Sequence, residues 1–211
     1  QVAMSESRIG DAVPSVAAEN DADSNATRIS VFTPDREGLF FRICAGLAAA
    51  GANIIDARVH TTGDGMALDN LLVVDSQGRA YADKRLRNRL VRSVEAALTS
   101  AHPPRLASAD KPGARTAAFR IAPSVVIAER ASSRTTVVEV NALDRVALLA
   151  ALAWAIHECG HRIHSAHIAT YGERAVDVFY LTRADGKKLK GEESVALHAA
   201  LLAAARDSVG L

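Results

Sequence analysis

Residues 35–54 read DREGLFFRICAGLAAAGANI, and this stretch decides the fold. Ahead of it, Ile29 to Phe32 is β-branched and aromatic, and Pro34 cannot continue a central strand, so the chain leaves a sheet there. Leu39, Ile43, Leu47 and Ala50 recur at helical spacing, and Gly51 supplies the left-handed residue that closes many helices. Asn53 opens the next strand. The reading puts the N–H groups of a helix start beside the carboxylate of Asp35 and the amide of Asn53. A helix start favours an anion, Asp35 a cation, and an amide serves either, so the site suits a zwitterion such as a free amino acid. The candidate ligand-binding residues are Asp35, Arg36, Glu37, Gly38, Leu39, Asn53 and Ile54. A plainer reading, a capping aspartate and a turn glycine, accounts for part of the same pattern.

The pattern returns in LDRVALLAALAWAIHECGHRI, with Asp144 for Asp35, Arg145 for Arg36, Leu148 for Leu39 and Gly160 for Gly51, at a constant offset of 109 residues. Backwards, Pro123-Ser124-Val125 meets Pro14-Ser15-Val16. Forwards, Thr170 and Gly172 meet Thr61 and Gly63, and after one deletion Asp177 meets Asp69. The chain is a tandem duplication.

Working outward, 211 residues with 49% hydrophobic content can bury one sizeable core or two small ones, and the repeat argues for two. A net charge of +1 gives no strong attraction to nucleic acid or to an anionic membrane. Cys44 and Cys159 are not equivalent under the offset, so they suggest neither a disulfide nor a metal pair, and a reducing cytoplasm fits. The Ala-rich stretches are too short to span a bilayer. The chain starts at Gln1 without an initiator methionine, which reads as a fragment of something longer.

Each repeat is expected to begin with a hairpin, clearest where Val125 to Ala128 and Thr135 to Val140 flank a polar turn. Alternation follows in Ile55, Ala57 and Val59 and again in Ala166 and Ile168, and MALDNLLVV and AVDVFYL return the chain as further strands. Asp83 can cap a second helix with Leu86, Leu90, Val94 and Leu98 on one face, which Val195, Leu201, Leu202 and Ala205 repeat more weakly. The fold expected is α+β: tandem ferredoxin-like βαββα units, antiparallel sheets with helices on one face, the leading strand filling the slot of the missing last one. The first unit covers 14–100, with leading strand 14–19 and core 27–100. Residues 101–116 are the linker, and 117–211 the second unit, with leading strand 123–129 and core 135–208.

DREGLFFRI with GANI, repeated on this scaffold, resembles ACT domains, small modules that bind amino acids and regulate an attached enzyme. FTPDREGLF, GANIIDARVHTTGDGMALD and SAHIATYGERAVDVFY are similar to the C-terminal tandem ACT region of the bacterial bifunctional PII uridylyltransferase/uridylyl-removing enzyme family. The resemblance runs from Pro14 to about Arg206. It implies a regulatory region that senses glutamine as effector, in an enzyme that uridylylates the PII signalling protein when glutamine is scarce and deuridylylates it when glutamine is abundant. It implies no cofactor and no catalytic site in this stretch, Mg being expected only in the catalytic domains absent from it. The expected partners are glutamine, PII through the full-length enzyme, and ACT–ACT pairing within or between chains, with no nucleic acid and no membrane. The second repeat departs from the pattern: Ala147 stands where glycine is expected and Arg162 where asparagine is. Glu37 and Val146 replace a usual proline.

Other motifs point elsewhere and fail on spacing. His157 to His161 matches H-E-x-x-H, which needs both histidines on one continuous helix, and the repeat puts Gly160 at the helix end. His164 and His167 fall on a strand and are expected to face opposite sides. MALDNLLVV lacks the basic-glycine-aromatic pattern of RNA-recognition modules, and only 4% of residues are aromatic. Asp69 and Asp177, in the middle of apolar strands, read as partners for a neighbouring strand or for Arg58. Besides the glutamine sensor, two alternatives stand: a structural or dimerisation module without its own ligand, and a PII-docking surface on the basic face of the second helix or on the linker.

Overall fold

The structure, a computed structural model, describes residues 13–21, 23–102 and 121–206. The hairpin at the head of the first repeat is β1 (Ser15–Asn20) with β2 (Thr27–Pro34). Then come α1 (Leu39–Ala49), β3 (Asn53–His60), β4 (Met66–Val74) and α2 (Lys84–Thr99). The second repeat supplies β5 (Ser124–Ala128), β6 (Thr136–Leu143), α3 (Leu148–Glu158), β7 (His161–Tyr171), β8 (Arg174–Arg183) and α4 (Gly191–Arg206) in the same order. The expected linker, from residue 103 on, and the ends of the chain lie outside the described residues.

Where the repeat leads one to expect two sheets over two cores, all eight strands form one antiparallel sheet over one continuous core, in the order β1-β2-β4-β3-β7-β8-β6-β5, because the β3–β7 pairing merges the two halves. The leading strands take the outer slots: Val125 pairs with Val140 and Ala128 with Val137, as Val16 pairs with Val31. The two halves join edge to edge through β3 and β7, where Arg58 faces His167. Those two residues are counterparts under the offset of the repeat, so a pseudo-two-fold axis passes between them.

The inward faces of the strands, Ile29 and Val31, Ala57 and Val59, Leu71 and Val73, are buried, as are Phe179 and Leu181. All four helices cover this face, α1 against α2, α3 against α4, and α1 against α3 across the axis, where Phe41 and Trp154 meet at 4.8 Å between ring centroids. Helix ends follow the chemistry read from the sequence. Gly51 and Gly160 take φ of 79° and 74° after α1 and α3, and Asp83 caps α2 by accepting from the Arg85 N–H at 2.7 Å. Thr27 and Thr136, both fully buried, accept from the N–H groups of Tyr81 and Leu189 at 2.9 and 3.0 Å and tie equivalent loops to equivalent strands.

Two helix faces differ from expectation. Leu86 is 45% exposed, and the buried set of α2 is Leu90, Val94, Ala97 and Leu98. Val195 is 71% exposed, and Leu197 takes its place in a stripe with Leu201 and Ala205. The i, i+4, i+8 spacing of these three is the better helical phase.

Gly46 was not singled out by pattern. A Cβ there would lie 3.0 Å from the Ser93 carbonyl oxygen and the Val94 Cα, and the Ser93 hydroxyl donates to the Gly46 carbonyl at 2.7 Å. The glycine lets α1 and α2 approach backbone to backbone.

Candidate functional site

Pro34 ends β2, and the loop Asp35–Gly38 carries the chain over the sheet to α1. Gly38 stands at the helix N-cap with φ of 70°, a left-handed conformation that glycine adopts without strain. Its counterpart Ala147 takes φ of 64°, the sole non-glycine residue so placed among those described, at a cost of about 1–2 kcal/mol. No side chain caps α1. The first intrahelical bond here runs from the Arg42 N–H to the Gly38 carbonyl, so the N–H groups of Phe40 and Phe41 lie ahead of the ladder. Asp35, read as a possible cap, instead accepts from the Thr61 hydroxyl at 3.2 Å and is exposed.

A cavity of about 130 Å³ opens at this loop. Asp35, Arg36, Glu37, Gly38 and Leu39 all line it. Asn53 and Ile54, the other two candidates, do not. The opposite wall comes from the second repeat, from His157 at the end of α3 and from His161, Arg162 and Ile163 at the start of β7. Asn53 and Ile54 line a second cavity, of about 20 Å³, with Asp144, Arg145 and Ala147. Each residue of the second cavity is the counterpart of one in the first. The reason is the pseudo-two-fold pairing of β3 with β7: it sets the loop of each repeat against the strand start of the other. Sequence order placed Gly38 with Asn53, whereas the fold places Gly38 with Arg162 and Ala147 with Asn53. The departures noted in the second repeat are therefore shared between the two sites.

The two cavities differ in what fills them. In the second, the Asn53 amide donates to Asp144 at 2.9 Å, and the remaining space is about that of one water. In the first, Arg162 is bound by Glu37 at 3.2 Å, away from Asp35, and the cavity stays open. Where the second has Ala48 and Ala52, the first has His157 and His161. His161 is buried with its Nδ1 unpartnered; burial pushes its pKa down, and Glu193 pulls the other way. The Arg36 guanidinium donates to the Leu98 carbonyl, as Arg145 donates to Ala204 at 2.7 Å. Both arginines satisfy carbonyls near a helix C-terminus, a structural role.

Asp69 forms part of the wall of the first cavity and Asp177 of the second. Each is 1% exposed. Neither is a partner of Arg58, which lies exposed on the other face of the sheet. Burial pushes the Asp69 carboxyl up to about 7, the His60 N–H opposing and the charge of Asp35 adding. That N–H faces the carboxylate without reaching hydrogen-bond geometry, and both oxygens remain unpartnered. Asp177 is pushed up to about 8 by burial and by Asp144. Two further readings settle on geometry. The H-E-x-x-H string is broken, His157 ending a helix and His161 opening a strand. His164 and His167 do not face opposite sides: a bulge at His164 turns it to Thr182, at 2.7 Å, while His167 lies edge-on to Tyr180, two residues back on the same face of β8. Among the described residues, no three His, Cys, Asp or Glu side chains are placed to hold a metal ion, and no helix is long and apolar enough to cross a membrane.

Residues 27–90, from β2 into α2, match the ACT domain family. Those residues carry this domain. Over 197 residues, 92% of its length, it is 42% identical to the bifunctional uridylyltransferase/uridylyl-removing enzyme of Erythrobacter litoralis, of which it covers 21%. It is 46% identical over 189 residues to the enzyme of that name from Zymomonas mobilis, covering 86% of this chain and 20% of that one. The chain thus spans about a fifth of the length of the curated relatives it matches, and what it shares with them is a regulatory, ACT-bearing part. The crystal structure of aspartate kinase from Synechocystis aligns with 84% of the chain and 26% of its own, at 16% identity and a TM-score of 0.47.

Proposed function

We propose that the first cavity is the effector site of a glutamine sensor, and that this region reports glutamine to an enzyme that uridylylates and deuridylylates the PII signalling protein. The observation that carries the reading is the open cavity itself, floored by carboxylate and faced by an uncapped helix start. A zwitterion meets complementary charge at both ends there: its carboxylate at the N–H groups and positive dipole of α1, its ammonium at an aspartate. The two repeats contribute opposite walls, so occupancy couples the loop of one to the strand edge of the other. The second cavity, closed by Asn53 and Asp144, acts as a structural joint.

Glutamine and glutamate have nearly the same shape, so polar complementarity must separate them. Asp35, Glu37 and Asp69 already line the cavity, and Arg162 is committed to Glu37. A second carboxylate on the ligand adds like charge to that set, whereas an amide can donate to a carboxylate and accept from an imidazole or guanidinium N–H. The expected preference for glutamine at pH 7 is on the order of tenfold to a hundredfold. Calorimetric titration of the chain with glutamine, glutamate and UTP tests this. Glutamine alone should bind well. Equal affinity for glutamate removes the glutamine assignment, and no heat with any of the three favours a purely structural module.

A further inference from the structure

Along the inward face of β4 the residues alternate as Ala67, Asp69, Leu71 and Val73, all buried. Asp69 therefore occupies a position that its neighbours fill with hydrocarbon. A carboxylate there with both oxygens unpartnered is among the more unfavourable arrangements a core can hold. The sequence nevertheless holds it twice, since Asp177 repeats it with one oxygen unpartnered.

We propose that Asp69, not Asp35, receives the ammonium group of the ligand, which enters the first cavity amino end first. This rests on the amino-acid reading above. Asp35 is exposed at the mouth and already bonded to Thr61, so a cation beside it stays in water and gains little. Asp69 is shielded from water, its oxygens are free, and a cation reaching it completes a pair that the protein leaves half built. The carboxylate end then lies toward the first turn of α1, where the N–H groups and the positive end of the helix dipole are. Asp177 has the same chemistry without the room, because the cavity before it holds no more than a water.

The test compares glutamine with 4-carbamoylbutanoate, which is glutamine without its amino group, by calorimetry at pH 8. The wild-type chain should bind glutamine far more tightly than the des-amino compound. Asp69→Asn should weaken glutamine on the order of 30-fold or more, the loss seen when one partner of a desolvated charge pair is removed. It should leave the des-amino compound unchanged or improved, since a repelling charge has gone. Asp177→Asn, in the other cavity, should change glutamine binding less than about threefold. Equal binding of both compounds to the wild type overturns the assignment without recourse to any variant. So does an Asp69→Asn chain that holds glutamine normally, or one that loses both compounds alike. A wild-type chain that binds no amino acid at all overturns the amino-acid reading, and this assignment with it.

Discussion

A carboxyl whose pKa is higher in the folded chain than in the unfolded one binds more protons when folded. Its contribution to stability is then complete below the unfolded value, about 3.9 for aspartate, and is lost as pH rises through the folded value. Asp69 and Asp177, raised to about 7 and about 8, both follow this sign. Around Asp69 the charged and titratable groups are Asp35, Arg36 and Glu37 from the loop, His157 from α3, and His161 and Arg162 from β7. Asp69→Asn and Asp177→Asn should each raise stability at pH 8, on the order of 1–3 kcal/mol, with the gain vanishing near pH 4. Urea denaturation at the two pH values measures it, and a gain equal at both would show that the carboxylates are not the cause. Stabilisation by removing a residue that ligand binding needs is the expected trade at a functional site. The oddity of these aspartates was legible, because acid stands among apolar residues at matching places in both repeats. What they face was not: alternation gives the side of a strand and says nothing of a cavity made by the other half of the chain.

At the scale of elements, local pattern carried most of the fold. Pro34, Gly51, Asp83 and Gly160 marked strand and helix limits through backbone chemistry that acts within a few residues, and the structure keeps all four. Gly46 was invisible because its reason lies in α2, some fifty residues on. Gly46→Ala should force α1 and α2 apart and destabilise the chain by about 1–3 kcal/mol, read as a fall in melting temperature. A neutral result would mean that the helices slide at no cost. Asn53 shows the opposite case, a residue read as part of the Gly38 site that the fold places in the other cavity. Its amide closes the second cavity on Asp144, so Asn53→Ala should cost about 0.5–1.5 kcal/mol of stability, more if Asp144 is left unpaired. Glutamine binding should hardly change. A large loss of glutamine affinity in this variant would return Asn53 to the effector site.

The whole molecule is a duplicated unit folded back on itself about the axis between Arg58 and His167. The duplication was plain in the sequence; the crossing of the two sites was not, since it follows from the β3–β7 pairing and no local pattern encodes which edges meet. Symmetry makes two cavities, and divergence of a few side chains leaves one of them open. The central claim is that glutamine sits between the two repeats at that one cavity. The most direct measurement is a map of backbone amide chemical shifts in the full chain on titration with glutamine. Gly38, Phe40 and Phe41 should shift together with His161, Arg162 and Ile163, although some 120 residues separate the two groups, while Asn53 and Asp144 stay in place. Shifts confined to one repeat, or of equal size around both cavities, would contradict the account.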